Sequence, residues 1–518
     1  MSVRSRLKSH LTESATTVFH SGLGRVDPVS VRIELTRDLG ESASYEDRIA
    51  LLAALLHERH HWLQNVGTST GLFGTLLLEL QNAMIEHGVP LEELRTEDLP
   101  LLRQEHRFAD ALGKWERLEG TRRLYFGCRR GDLDALMRDG RAPLWGELAP
   151  LVSGTMGKLL ADSPYIDRYQ AFFADRGGHL PVDKTFVTES GWSVGARHLM
   201  EGAARQSEVF RLLQGALDGH RHSGAPAEAF RFNLSEHYTG VYGVARKLFD
   251  SVVGARTVAA DIGFAFACDM GLNALAPPLY PLVPVNPGTY FAHVVHKLAD
   301  FRFDRCLHIV DPPHVRALIA ELTEHVGVVG GASRRMTDLD LRLPQRFKRE
   351  MVDGVLGHLR PDEVAGQLFT LPHADAVPVP SGPSCRLRYL LALTAEAERI
   401  RARSPEIFVF PAASYLDDRT AFRALFERIQ PPLLSYGSQQ FRGTRPIAGW
   451  PDFFVATGIH YEVMRGLVMH DARTLGISLA PFARLAPGLL RIVLRGALHG
   501  APVADVIHGH AEAAAEQR

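Results

Sequence analysis

The chain has 518 residues, of which 46% are hydrophobic and 23% are charged, values close to the averages for globular proteins. Its formal net charge of −1 gives no overall attraction to nucleic acid or to an anionic membrane surface. We therefore expect neither a nucleic-acid partner nor membrane association. At ~150 residues per domain, a chain of this length predicts about three domains.

The cysteine pattern and the N-terminus bear on the compartment. Cys128, Cys268, Cys306 and Cys385 lie far apart in the sequence, so no CxxC pair predicts a zinc ribbon or a redox motif. Reduced thiols are the simpler expectation. No apolar segment of a secretion signal follows the basic N-terminus, and the apolar stretch 257–275 contains acidic residues. We expect a soluble, cytoplasmic protein, whose oligomeric state the sequence leaves open.

The predicted elements are mostly helical. Residues 31–35 alternate apolar and polar side chains, as in a half-buried strand. Ser44 is placed to cap a helix over 45–64, where apolar residues recur at three- and four-residue spacing. Further helices are predicted at 76–86, 194–214, 235–249, 257–275, 313–326, 343–358 and 386–403, and a second strand at Ile407–Phe410. The expected fold class is mainly α with a minor β component (α+β).

Proline-rich stretches suggest where the chain divides. The segment Pro278–Pro287 is a plausible connection between two halves. We predict an N-terminal strand and turn segment at 1–40, a metal-binding catalytic domain at 41–276, and a mainly helical region of unknown role at 288–518.

The chemistry is concentrated in one stretch, His57-Glu58-Arg59-His60-His61, which contains an HExxH pattern. Histidines at i and i+4 lie one above the other on a helix face, so His57 and His61 can bind one metal ion. Glu58 would lie beside the open coordination position, where a general base for a water molecule is needed. The alternative without a metal is a polar helix face whose three histidines are solvated.

A catalytic zinc needs a third protein ligand. Glu201 is favoured because it lies on a predicted amphipathic helix, and the small residues 202–204 that follow it would allow another helix to approach. A surface ion pair with Arg205 is the alternative interpretation. Glu79, on the next predicted helix, is a rival third ligand. Glu208, two turns beyond Glu201, could instead be a partner for a ligating histidine.

The HERHH stretch and the helical glutamate in LMEGAA resemble the gluzincin type of zincin metallopeptidase. That resemblance implies that His57 and His61 are Zn²⁺ ligands, that Glu58 is the general base, and that Glu201 is the third ligand. It covers residues 30–270 and rests on two short motifs. The separation of 139 residues between His61 and Glu201 is longer than in most gluzincins.

A zincin also needs a group that stabilises the oxyanion. Candidates are His237, Tyr238 and Tyr242, on the helix predicted after that of Glu201. We assign His237 and Tyr238 a catalytic role as an expectation, with ordinary packing as the alternative for each.

Other classes of function remain open. Glu58 and His61 form ExxH, half of a di-iron site in a helical bundle, although the sequence holds no second ExxH. Two histidines and one glutamate also suit mononuclear iron. A non-catalytic, metal-stabilised binding protein is a further alternative. The favoured interpretation is a zinc hydrolase that cleaves a peptide or another small amide-containing substrate.

Overall fold

The computed structural model places the chain in a mainly helical fold. It describes residues 19–20, 24–27, 32–35, 44–95, 108–134 (except 130 and 133), 188, 191–223, 240–273 (except 256), 286–327 (except 305–309), 349, 360, 383–417, 433–436, 439–441 and 450–516 (except 486).

The helices of the first part of the chain are α1 (Tyr45–Gly67), α2 (Ser69–Gly88), α3 (Ala109–Phe126), α4 (Ala196–Ser223), α5 (Gly240–Val253) and α6 (Val258–Leu272). The later helices are α7 (Pro287–Leu298), α8 (Pro312–Gly327), α9 (Pro383–Arg401), α10 (Glu406–Val409), α11 (Pro411–Asp417), α12 (Trp450–Met469), α13 (Ala472–Leu485), α14 (Pro487–Ala497) and α15 (Val503–Glu516).

A small sheet joins the beginning of the described chain to residues 433–441. Its strands, in spatial order, are β1 (Phe19–His20), β2 (Gly24–Asp27), β3 (Arg32–Leu35), β4 (Leu433–Tyr436) and β5 (Gln439–Phe441). All neighbours are antiparallel except β3 and β4, which pair in parallel with Arg32 opposite Leu433. The predicted strand at 31–35 corresponds to β3.

Helix α1 lies in the interior. It begins where the Ser44 hydroxyl accepts a hydrogen bond from the backbone N–H of Asp47, which satisfies one of the free donors of the first turn. Further along, apolar side chains such as Leu56 and Leu63 are fully buried, and so are His57 and His61. The helix is therefore enclosed on several faces, which is unusual for a helix that carries so many ionisable groups.

Helix α4 packs against α1 along the stretch that carries Glu201. Ala203 and Ala204 are buried there, and a Cβ on Gly202 would lie 3.0 Å from the ring of Phe264 on α6. Small side chains allow helix backbones to approach closely, as the sequence predicts for residues 202–204. The result is a closely packed pair of helices with Glu201 on the contact face.

Two large hydrophobic clusters stabilise the described part of the chain. The first includes buried residues of α1, α2, α4 and α6–α11, and the second joins the end of α2 and the beginning of α3 to α12–α15. The division at 1–40, 41–276 and 288–518 stays a prediction.

Several element predictions need correction. Ile407–Phe410 was expected to be a strand, but Glu406–Val409 forms a short helix. Pro405 precedes this helix and Pro411 begins the next, and proline suits the start of a helix. Helix α2 begins at Ser69, earlier than predicted, because the Thr68 hydroxyl accepts a hydrogen bond from Gly71 N–H. Most of the helix predicted at 343–358 lies outside the described residues.

Among the described helices, none has the length and apolar character needed to cross a membrane.

Candidate metal centre

The structure brings together three of the residues singled out from the sequence: His57 and His61 on α1 and Glu201 on α4. All are buried. The Nε2 atoms of the two histidines lie 2.9 Å apart. Oε2 of Glu201 lies 3.6 Å from Nε2 of His57 and 3.5 Å from Nε2 of His61. These atoms form a nearly regular triangle that could hold a metal ion.

The dimensions of this triangle fit a small divalent cation. Zinc bonds of ~2.0–2.2 Å at tetrahedral angles place neighbouring ligand atoms ~3.3 Å apart. The observed edges of 2.9, 3.5 and 3.6 Å lie on both sides of that distance. Two imidazole nitrogens and one carboxylate oxygen are also donors that zinc accepts in catalytic sites.

The other ring nitrogen of His57 faces a carboxylate. Its Nδ1 lies 2.9 Å from Oε2 of Glu208, two turns after Glu201 on α4. Glu208 is in turn held by Arg205, whose Nη1 lies 2.6 Å from the same oxygen. Glu208 is the residue that the sequence indicated as a partner for a ligating histidine, and the structure places its carboxylate beside His57.

The second histidine has a different partner. Nδ1 of His61 lies 3.0 Å from Oε1 of Gln64, one turn later on α1. The amide nitrogen of Gln64 donates a hydrogen bond of 3.2 Å to the backbone carbonyl of Met200, so the amide oxygen is left to face the imidazole. Sequence reasoning missed Gln64, although its i, i+3 spacing from His61 was a usable signal.

The charges of the cluster are strongly coupled. Burial disfavours the charged form of His57, but the nearby carboxylates of Glu201 and Glu208 outweigh burial and raise its pKa to about 10. For His61, burial and the proximity of His57 lower the pKa. Burial would raise the pKa of Glu201, yet the two imidazoles lower it to about 2. The carboxylate is therefore ionised, and positive charge is favoured in the middle of the cluster.

Glu58 is also fully buried. Its negative charge is a minor contribution to the raised pKa values of His57 and Tyr242, so its carboxylate acts electrostatically on both side chains. It does not belong to the group of converging ligand atoms found among the described residues. Its role as a general base stays a prediction.

The remaining predictions have mixed outcomes. His237 and Tyr238 lie outside the described residues, so their roles stay predictions. Tyr242 is described: its ring centroid lies 6.1 Å from that of His57, and the guanidinium of Arg205 lies over its ring. Glu79 is buried on α2 but is not part of the converging group among the described residues.

A neighbour that sequence reasoning did not assign to zinc chemistry is His198, one turn before Glu201 on α4. It is buried, and its Nδ1 accepts a hydrogen bond of 3.2 Å from the backbone N–H of Gly195. Burial lowers its pKa to about 4. His198 is therefore a neutral imidazole near the cluster.

Comparison with protein-family models, curated proteins and solved structures finds no match for this chain. The interpretation of the site therefore depends on its own geometry.

Proposed function

We propose that the chain is a metal-dependent hydrolase that binds one zinc ion through His57, His61 and Glu201. The observation that carries this proposal is the convergence of three buried ligand atoms: Nε2 of His57, Nε2 of His61 and Oε2 of Glu201 lie 2.9, 3.5 and 3.6 Å from one another. Both Nδ1 atoms face outer acceptors, Glu208 and Gln64. If both carry their hydrogen there, both Nε2 lone pairs and the Glu201 carboxylate converge on one point. Three acceptors repel one another unless a cation lies between them.

When bound, zinc supplies Lewis-acid chemistry, because it polarises a carbonyl group and lowers the pKa of a water molecule toward ~7. The role of the chain is to exclude bulk water and to move a proton. Glu58 accepts the proton of the attacking water and later passes it to the leaving group. Tyr242, near His57, is a candidate hydrogen-bond donor to the developing negative charge, in addition to the predicted His237 and Tyr238. A peptide or another small amide is the proposed substrate.

The first test is the metal content of the purified, untagged protein, measured by elemental mass spectrometry. One zinc per chain supports the hydrolase and leads to a screen of a peptide library. One iron per chain would favour oxygen chemistry, because two histidines and a carboxylate also form the usual mononuclear iron triad. Absence of metal after incubation with zinc would overturn the proposal.

Two variants separate binding from chemistry. Glu58→Gln should keep stoichiometric zinc and lose activity by ~10²–10⁴-fold, the usual contribution of a general base. Glu201→Ala should lose zinc, because two histidines alone do not form a complete site. Glu79→Ala is the matched control, a buried glutamate on a neighbouring helix, and should keep its zinc. Full activity of Glu58→Gln would contradict the assignment of the base.

A further inference from the structure

The imidazole of His198 is held in one orientation. Its ring packs edge-to-face against Trp192, with 5.3 Å between centroids. A Cβ on Gly127 would lie 2.7 Å from both Nδ1 and Cε1 of the ring, so the glycine lets the ring lie directly against the backbone. Gly127 has a φ of 96°, which few other residues adopt.

The tautomer of this histidine follows from its hydrogen bond. Because Nδ1 accepts a hydrogen bond from the backbone N–H of Gly195, Nδ1 carries no hydrogen. A neutral imidazole then carries its hydrogen on Nε2. That Nε2 atom is buried, and no residue in the described part of the chain accepts a hydrogen bond from it.

A buried donor without an acceptor is costly, by ~1–3 kcal/mol, and is rare in folded proteins. The position of the His198 Nε2–H donor near Glu201 indicates a function. His198 and Glu201 are separated by three positions on α4 and so share a face, with their Cβ atoms ~5–6 Å apart. The charge of Glu201 favours the protonated form of His198, so the two groups interact. Yet His198 is not part of the converging metal ligands.

We propose that His198 is a substrate-binding residue, whose Nε2–H donates a hydrogen bond to an acceptor oxygen of the substrate, such as an amide carbonyl, beside the metal site. This inference rests on the proposed function and deepens it. A neutral donor selects a substrate that presents an oxygen acceptor at that point, because an analogue without it leaves the buried N–H without an acceptor.

Two substitutions separate this role from a structural one. In His198→Asn, the amide group takes the place of Nδ1: its oxygen can still accept from Gly195, but the donor at Nε2 is lost. In His198→Gln, the longer side chain places an amide donor near the former Nε2 position, while the acceptor for Gly195 is lost. Both variants remove the ring that packs on Trp192, so the pair is matched for lost packing.

The probe is acetohydroxamate, whose carbonyl oxygen and N–O oxygen together bind a metal ion, and whose carbonyl oxygen keeps a second lone pair that can accept a hydrogen bond. We would measure its Kd by calorimetry on zinc-loaded wild type and both variants, together with zinc content and thermal stability. His325→Gln serves as a control, because His325 contacts a backbone carbonyl of α7 far from the zinc ligands in sequence.

At equal zinc content, we expect His198→Asn to bind acetohydroxamate ~10-fold more weakly and His198→Gln to stay within ~3-fold of wild type. Thermal stability should show the opposite order. Wild-type affinity in a folded, zinc-loaded His198→Asn protein would overturn the substrate-binding role while leaving the hydrolase proposal intact. Failure of the wild type to bind zinc would overturn both.

Discussion

Removal of the Glu208 carboxylate should weaken zinc binding although Glu208 does not touch the metal. The 2.9 Å contact between Glu208 and Nδ1 of His57 orients the ring and makes Nε2 a stronger metal ligand. Loss of such a partner typically costs 10–100-fold in metal affinity. Glu208→Ala also leaves the positive charge of Arg205 near the site without this carboxylate, which disfavours a cation. We therefore expect the upper part of that range, about 100-fold.

Glu208→Gln should have a smaller effect, since its amide oxygen can still accept from Nδ1. A hydrogen bond to a charged group contributes ~1.5–3 kcal/mol and a neutral one ~0.5–1.5 kcal/mol. The difference of ~1 kcal/mol corresponds to a loss of about 5–10-fold. Competition with a chromophoric zinc chelator at fixed pH measures both values.

The matched control is Glu512→Ala, because Glu512 also contacts Nδ1 of a histidine, His508, at 3.4 Å on α15. It should bind zinc like wild type. If Glu208→Ala also bound zinc with wild-type affinity, the assignment of Nε2 of His57 as the metal-facing nitrogen would be wrong.

Four further predictions concern stability. Burial alone would raise the pKa of Glu119, but the guanidinium of Arg122 outweighs it and lowers that pKa. The ionised Glu119 carboxylate therefore stabilises the folded protein fully above the unfolded carboxyl pKa of ~4.3. This stabilisation is lost as the pH falls through the lower pKa that Glu119 has in the folded protein. Glu119→Gln should cost ~3–5 kcal/mol at pH 7, a cost that shrinks toward pH 3 in urea unfolding. Gly288→Ala should destabilise by at least ~2 kcal/mol, because the new Cβ would lie 2.0 Å from the carbonyl oxygen of Val194. In the same assay Gly113→Ala, whose new Cβ meets nothing within 4 Å, should stabilise the protein by ~0.5–1 kcal/mol. A lower unfolding free energy for Gly113→Ala would contradict the open space around Gly113. Zinc at 100 times its Kd should raise the unfolding free energy by ~2.7 kcal/mol, and a chelator should abolish that gain in thermal denaturation.

Hydrophobic periodicity and motif spacing were sufficient to predict the helix that carries His57 and His61. A pair at i, i+4 is a local property of one helix, so His57 and His61 could be brought together without knowledge of the fold. Glu201 is a long-range partner, proposed from the amphipathic pattern of its predicted helix and from the small residues after it, which predicted close helix packing. The same helix face carried Glu208.

Other features depend on contacts that a single sequence does not display. The pairing of β3 with β4 joins residue 32 to residue 433, and nothing local encodes that register. The apolar run Ile407–Phe410 fits a strand or a buried helical turn equally well. The structure shows the helical turn, in which Glu406 pairs with Arg316 of α8 through contacts of 2.6 and 3.0 Å.

A metal-binding role would explain why the ionisable groups of the candidate metal centre are tolerated in the interior. An isolated buried carboxylate or imidazolium is strongly destabilising, and apolar side chains at the same positions would pack at lower cost. The same low dielectric that makes burial costly strengthens the attraction of Glu201 for a cation. Because α1 and α4 are closely packed and the three ligand atoms already converge, we expect little reorganisation when a cation binds. Burial that lowers the stability of the empty protein therefore raises the affinity of the site, and a site of this kind is expected where metal binding is part of the function.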